Sequence, residues 1–308
     1  MQRDVAIMPE ASADPSAPQG LVPSRMWPDV ARSLWKSKAA VFGSMIVLAV
    51  AFCALGAPFL ALHDPNDQSL RRRLIPPGWE GKGTWEYPLG TDHLGRDIFS
   101  RAIYGSRVSL TVGFSAVLIS GTLGALLGLI AGYYGGKIEA IIMRLVDIQL
   151  AFPFILLAIS VVAVVGAGLK NVIIVLGIAG WMVYARIVRG EVLSVKEREF
   201  VVAAKAVGVR DSLILFRHIL PNVLTPVIVV ATFSVANVII LEAALSFLGV
   251  GVEPAIPTWG GMLADGREYI STAWWLATFP GLAIMFTVLG INLIGDWLRD
   301  ILDPRLAV

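Results

Sequence analysis

The sequence predicts an all-helical membrane protein with six transmembrane spans. Three observations carry that prediction: 56% of the 308 residues are hydrophobic against 16% charged, mean hydropathy is +0.73, and the apolar residues gather into long charge-free runs. Length alone would allow two soluble domains, but this composition argues against them. A formal net charge of +2 is too small to suggest nucleic acid as a partner.

A bilayer core about 30 Å thick offers no hydrogen bonds to bare backbone, so each crossing needs about 20 apolar residues in helix. Five stretches meet this: Ala39 to Leu62, Val108 to Tyr134, Ile148 to Leu169, Ile219 to Leu241 and Tyr269 to Gly295, each free of Asp, Glu, Lys and Arg. A sixth, Asn171 to Ala185, is shorter and ends in Arg186 and Arg189, whose long side chains can snorkel to the interface.

Six spans put both termini on one side. With that side cytoplasmic, sixteen of the 25 lysines and arginines fall inside, and seven of the other nine sit in one long outer loop, which supports cytoplasmic termini. Residues 1–24 are rich in Pro, Ala and Ser without an apolar run, so 1–34 reads as a disordered cytoplasmic tail rather than a cleaved signal peptide. The first span then occupies 35–62, an outer, periplasmic loop 63–107, and a core transmembrane domain 108–308. Cys53 is the sole cysteine, lies inside the first apolar run, and allows no intrachain disulfide.

Pro65, Pro76, Pro77, Gly78, Gly81 and Gly83 make the outer loop an irregular lid or small plug, and from Asp97 to Tyr104 its pattern turns amphipathic, as in an interfacial helix. The inner loop, 191–220, is more informative. Glu197 to Val207 reads as a short helix of good formers, Gly208 stands where a left-handed helix end is commonly placed, and Asp211 is positioned to cap a second helix through Leu220. Pro221 then limits helix continuity into the next span. Helix, glycine, helix between two spans is either an ordinary amphipathic connector or a rigid knob able to carry force from a soluble partner.

The segment Ala203, Ala204, three residues, Gly208, nine residues, His218, Ile219, Leu220, Pro221 resembles the EAA loop of ATP-binding-cassette (ABC) importer permeases. Val202 replaces the usual Glu and His218 the usual Ile. Leu89 to Arg107, Phe216 to Asn222, Leu245 to Gly251, Pro257 to Met262 and Asn292 to Arg305 are similar to the C-type permease subunit of dipeptide, oligopeptide and nickel importers, over about residues 35 to 305. The resemblance implies a type I ABC-importer permease fold with a cytoplasmic coupling helix. It also implies residence in the bacterial inner membrane and a heteromeric machine: a second, B-type permease, two ATPase subunits that bind ATP and Mg, and an outer substrate-binding protein. Relatives handle dipeptides, longer peptides, nickel complexes, glutathione and opines, and peptides are the favoured expectation. This chain is expected to bind no cofactor and to catalyse nothing. Its nearest approach to a phosphate loop, Gly135, Gly136, Lys137, has Ala131 where the first glycine is needed and Ile138 where Ser or Thr is needed.

Within the spans, Gly121, Gly124, Gly128 and Gly132 repeat at helical spacing, and the last three form a ladder suited to close helix packing; Gly105 and Gly113 add little. Ionisable groups at membrane depth are costly and so are functional candidates. Glu242 is the deepest, with Ser246 on the same helix face at i+4 and Asn237 off it. Glu242 and Ser246 either line a translocation path or close the outer end of the fifth span by hydrogen bonding. Asp147 reads as an i, i+3 pair with Arg144, and Trp274 and Trp275 as an aromatic belt. Asp296, Arg299, Asp300, Asp303 and Arg305 read as a solvated cytoplasmic end. His63, His93 and His218 show no metal-ligand spacing. A stand-alone secondary transporter is disfavoured by the lack of a clear internal repeat, and a membrane hydrolase by the lack of a nucleophile with a base in reach.

Overall fold

A computed structural model describes residues 32–302. The expected tail lies outside the described residues up to residue 31, as do Asp303 and Arg305. Among the described residues the regular structure is helical, apart from one isolated bridge between Thr91 and Asp97.

Helix α1, Lys38–Leu55, begins where Ser37 accepts the Ala40 N–H at 3.3 Å and stops at Gly56, followed by the one-turn α2, Ala57–Leu60. Helix α3, Ile98–Tyr134, runs 37 residues from an Asp97 cap whose carboxylate accepts the N–H groups of Phe99 and Ser100. The amphipathic stretch expected to lie as a separate interfacial helix is instead the first part of α3. One face of this stretch is covered by protein: Ile98, Ser100, Arg101 and Ile103 are buried, and the Trp259 indole donates to the Ala102 carbonyl at 2.9 Å. A Cβ on Gly105 would stand 2.7 Å from that indole, so Gly105, expected to add little, is what lets the ring lie against the helix.

The third expected span, Ile148 to Leu169, is not one helix. Helix α4, Gly136–Leu150, and α5, Phe154–Val165, meet at a 90° bend. Pro153 causes it, since its ring has no N–H to donate and pushes Phe152 out of helical geometry. Among the described residues five helices are thus long and apolar enough to cross, or six spans when the bent pair counts as one. Helix α6, Leu169–Val195, is longer than the fifteen residues expected and carries Arg186 and Arg189 within it. Both arginines are paired rather than snorkelling alone. Arg189 Nε reaches Glu139 at 2.7 Å and Arg186 reaches Asp147 at 2.7 Å, so Asp147 bonds across to α6 and not to Arg144.

Helix α7, Glu199–Ala206, precedes α8, Asp211–Phe247, which is continuous over 37 residues. Pro221 does not break it. The turn Ile214–Ile219 widens to π geometry, with Leu220 N–H reaching the Leu215 carbonyl, and this loosened turn accommodates the proline ring. Helices α9, Trp259–Arg267, and α10, Trp275–Leu302, complete the chain.

Two large cores are distinct. One gathers Ile98, Val112, Tyr184, Ile239, Trp259 and Trp275 between α3, α6, α8, α9 and α10. The other gathers Leu129, Tyr133, Val192, Val201, Ile214 and Ile219 where α3 and α6 end and α7 and α8 begin. Helices α3 and α6 meet along glycines: an added Cβ would stand 2.6 Å from Tyr184 Cβ at Gly124, 2.6 Å from the Ala185 carbonyl at Gly128 and 2.7 Å from Val192 Cβ at Gly132. Gly121 has ordinary room, 3.6 Å from the Tyr184 ring.

Candidate coupling and pathway sites

The inner unit begins at α7, whose single buried residue is Val201. Val201 joins the second core and leaves Val202, Ala203, Lys205 and Ala206 exposed, with Ala204 half-buried. Gly208 has φ +81, a left-handed conformation that L side chains adopt at a cost of roughly 1–2 kcal/mol, and nothing lies within 4 Å of where its Cβ would be. The cap on α8 is Arg210, not Asp211, and it makes no side-chain capping bond. Asp211 is instead the first helical residue, and its carboxylate accepts the Tyr133 hydroxyl at 2.5 Å. Lys205 Nζ lies 4.7 Å from the Tyr133 ring centroid, and Lys196 donates to the Gly132 carbonyl at 3.0 Å. His218 and Leu220 are half-buried on α8, with Pro221 exposed between them and Asn222, which donates to the His218 carbonyl at 2.7 Å.

The three pathway candidates separate. Glu242 is fully buried between α8 and α3, where Ser246 donates to it at 2.8 Å and Ser109 at 3.5 Å. Ser246 Oγ also accepts the Val252 N–H at 3.4 Å, which ties in the turn after α8. Asn237 faces the other way and is exposed, with no hydrogen bond to its amide among the described residues.

A third constellation, at the start of α3, was not singled out in the sequence. Arg96 binds Asp92 at 2.6 Å and Asp265 at 2.9 Å, and Arg101 stands 3.8 Å from Asp92 and 3.9 Å from Asp265. Arg96, Arg101 and Asp92 are buried, whereas Asp265, on α9, is partly open. Ligand atoms of Asp92, His93 and Asp265 come within 4.8 Å of one another, but the two guanidiniums already neutralise both carboxylates and oppose a cation there. The local signal was an acid and an arginine four apart inside Thr-Asp-His-Leu-Gly-Arg-Asp; the partner on α9 is 169 residues away. Trp275 is buried and donates to the Thr91 carbonyl at 3.1 Å, so of the expected aromatic belt only Trp274 is substantially open. In the adjoining loop, hydrogen bonds to Asp67 and then Tyr87 raise the Arg72 pKa further above its already high ordinary value.

Long apolar helices around two cores define the class: a multi-pass membrane protein. Residues 124–308 match the family described as binding-protein-dependent transport system inner membrane component, and residues 25–77 match the N-terminal transmembrane domain of oligopeptide transport permease C. The chain belongs to the first of these families and is a permease of an ABC importer. It is 45% identical over 288 residues to the di/tripeptide transport system permease protein DppC of Pseudomonas aeruginosa, covering 92% of this chain and 95% of that one. With the dipeptide transport system permease protein DppC of Alkalihalophilus pseudofirmus it shares 44% identity, covering 97% and 96%. A solved structure of the MetNI methionine ABC transporter in an inward-facing conformation superimposes with a TM-score of 0.53 at 20% identity, covering 65% of this chain and 96% of that one, a likeness of fold alone.

Proposed function

We propose that this chain and a second permease subunit form the pathway by which di- or oligopeptides enter a bacterial cell, with both termini cytoplasmic. The observation that carries the substrate class is 44–45% identity, over nearly the whole length, to permeases named for dipeptides and tripeptides. Energy comes from two ATPase subunits that bind ATP and Mg and dock on the exposed face of α7, with Ala203, Ala204 and Gly208 at the contact. A binding protein delivers substrate to the outer face. ATP-driven closure of the ATPases shifts the permease between states by its different affinity for each. The chain itself performs no covalent chemistry.

In the bilayer we place Asn237 on the water-lined path, because an amide without a partner is tolerated at membrane depth only against water or protein. Glu242 and Ser246 then act behind it, as a hydrogen-bonded clasp from α8 to α3. The test is gentle solubilisation of the complex, identification of its subunits, and uptake in proteoliposomes with its binding protein. A second permease and ATPases should co-purify, and unlabelled dipeptides should compete with labelled dipeptide. Recovery of this chain alone would overturn the importer reading. Competition by glutathione but not by dipeptides would replace the substrate, as a relative named for glutathione transport, 42% identical over 280 residues, makes plausible.

A further inference from the structure

One side chain touches both arms of the inner unit. Tyr133, in the last turn of α3, donates its hydroxyl to Asp211, which follows Gly208, and holds its ring 4.7 Å from Lys205 Nζ, which precedes it. The ring is buried in the second core, which joins Leu129 and Val192 of the bundle to Val201 and Ile214 of the unit, so the phenol is anchored where the two meet. At the bend itself the N–H groups of Gly208 and Val209 donate to the Lys205 and Ala204 carbonyls at 3.0 and 3.1 Å, and no side chain stands within 4 Å of where a Cβ on Gly208 would be. Two residues beyond Tyr133, Gly135 and Gly136 take φ of +65° and +54° where α3 passes into α4. The end of α3 is thus gripped by the unit on one side and passes into a glycine turn on the other.

We infer that Tyr133 is the positioning residue that transmits movement of the α7–Gly208–α8 unit into α3, its hydroxyl locking Asp211 and its ring seating Lys205. A hydroxyl bonded to a carboxylate is a strong, directional contact, and an ammonium beside an aromatic ring adds a second that tolerates sliding. The arms are packed on each other through Val201 and Ile214, and these two polar contacts tie that packed pair to the last turn of α3. This rests on the reading that the unit receives the ATPases.

The experiment uses the intact complex in proteoliposomes and reads substrate imported per ATP hydrolysed. Y133F keeps the ring and removes the hydroxyl. It should retain the ATPases and basal ATP hydrolysis while lowering import per ATP about fivefold or more, the low end of ordinary coupling energies. D211A should lower it similarly, and Y133F/D211A should be no worse than either single variant, because both remove one contact. Unchanged import per ATP in Y133F, additive losses in the double variant, or loss of the ATPases from Y133F would each overturn the inference. The underlying reading is checked separately on an otherwise wild-type background: A203C should cross-link to an ATPase subunit. Failure of that cross-link with the ATPases present would overturn the docking reading and the inference with it, whereas success with an unaffected Y133F overturns the inference alone.

Discussion

The two ends of the molecule are fastened differently. Where α3 begins, two buried arginines, a buried aspartate and the indoles of Trp259 and Trp275 join the 61–97 loop, α3, α9 and α10 into one cross-linked block. At the other end, where α3 stops, α7 buries one residue, a side chain at its following glycine would meet nothing, and the polar ties to the bundle are single contacts from Tyr133 and Lys196. A block stabilised by buried charge resists change until it fails as a whole. A unit held by a few replaceable contacts can take up more than one position without disturbing the bundle.

This contrast breaks first, and most, at Asp92. D92A leaves Arg96 and Arg101 buried with one carboxylate between them, and removing one partner of a buried ion pair costs about 3–5 kcal/mol. Thermal unfolding of the purified complex should show the largest drop for this variant, and an unaltered melting temperature would mean that block is not the stable end. G128L comes next. Its side chain meets the Ala185 backbone, which cannot rotate away, and overpacking of this kind costs about 1–3 kcal/mol; the amount of folded protein recovered from membranes measures it. G208A should be milder, at roughly 1–2 kcal/mol from its positive φ, since no neighbour crowds it. In contrast G208W should leave the fold as G208A does and abolish uptake by obstructing the ATPase, so a G208W variant with normal uptake would remove the glycine from the docking surface. The smallest effect belongs to D147N, whose ion pair with Arg186 is more than half exposed on both sides; after solvent screening it contributes about 0–1 kcal/mol.

The same contrast explains what could be read beforehand. Apolar runs are a property of contiguous residues, so most spans and the helix, glycine, helix order of the inner unit were legible. Pro153 was lost because hydropathy averages over it, although its restriction on Phe152 is itself local and could have divided the third span. The start of α3 was misplaced for a different reason. Arg101 and Arg107 looked like the end of membrane-compatible sequence, yet Arg101 is neutralised by Asp92 and by Asp265 on α9, and no local pattern announces a partner so far along the chain. Tyr133 and Asp211 are likewise 78 residues apart. Glu242 and Ser246 were correctly set on one face, but periodicity cannot say whether a polar stripe faces a neighbouring helix or water. In the structure the stripe is buried, with Ser109 of α3 opposite Glu242.

Helix lengths carry a consequence for the surrounding lipid. At about 1.5 Å per residue, α3 and α8 are rods of about 55 Å, well beyond a hydrocarbon layer of about 30 Å, whereas α1, with 18 residues, reaches only about 27 Å. Thickening the bilayer leaves the long rods spanning it and leaves α1 too short. Hydrophobic mismatch should therefore be registered by α1, through its junction at Gly56, before the rest of the subunit responds.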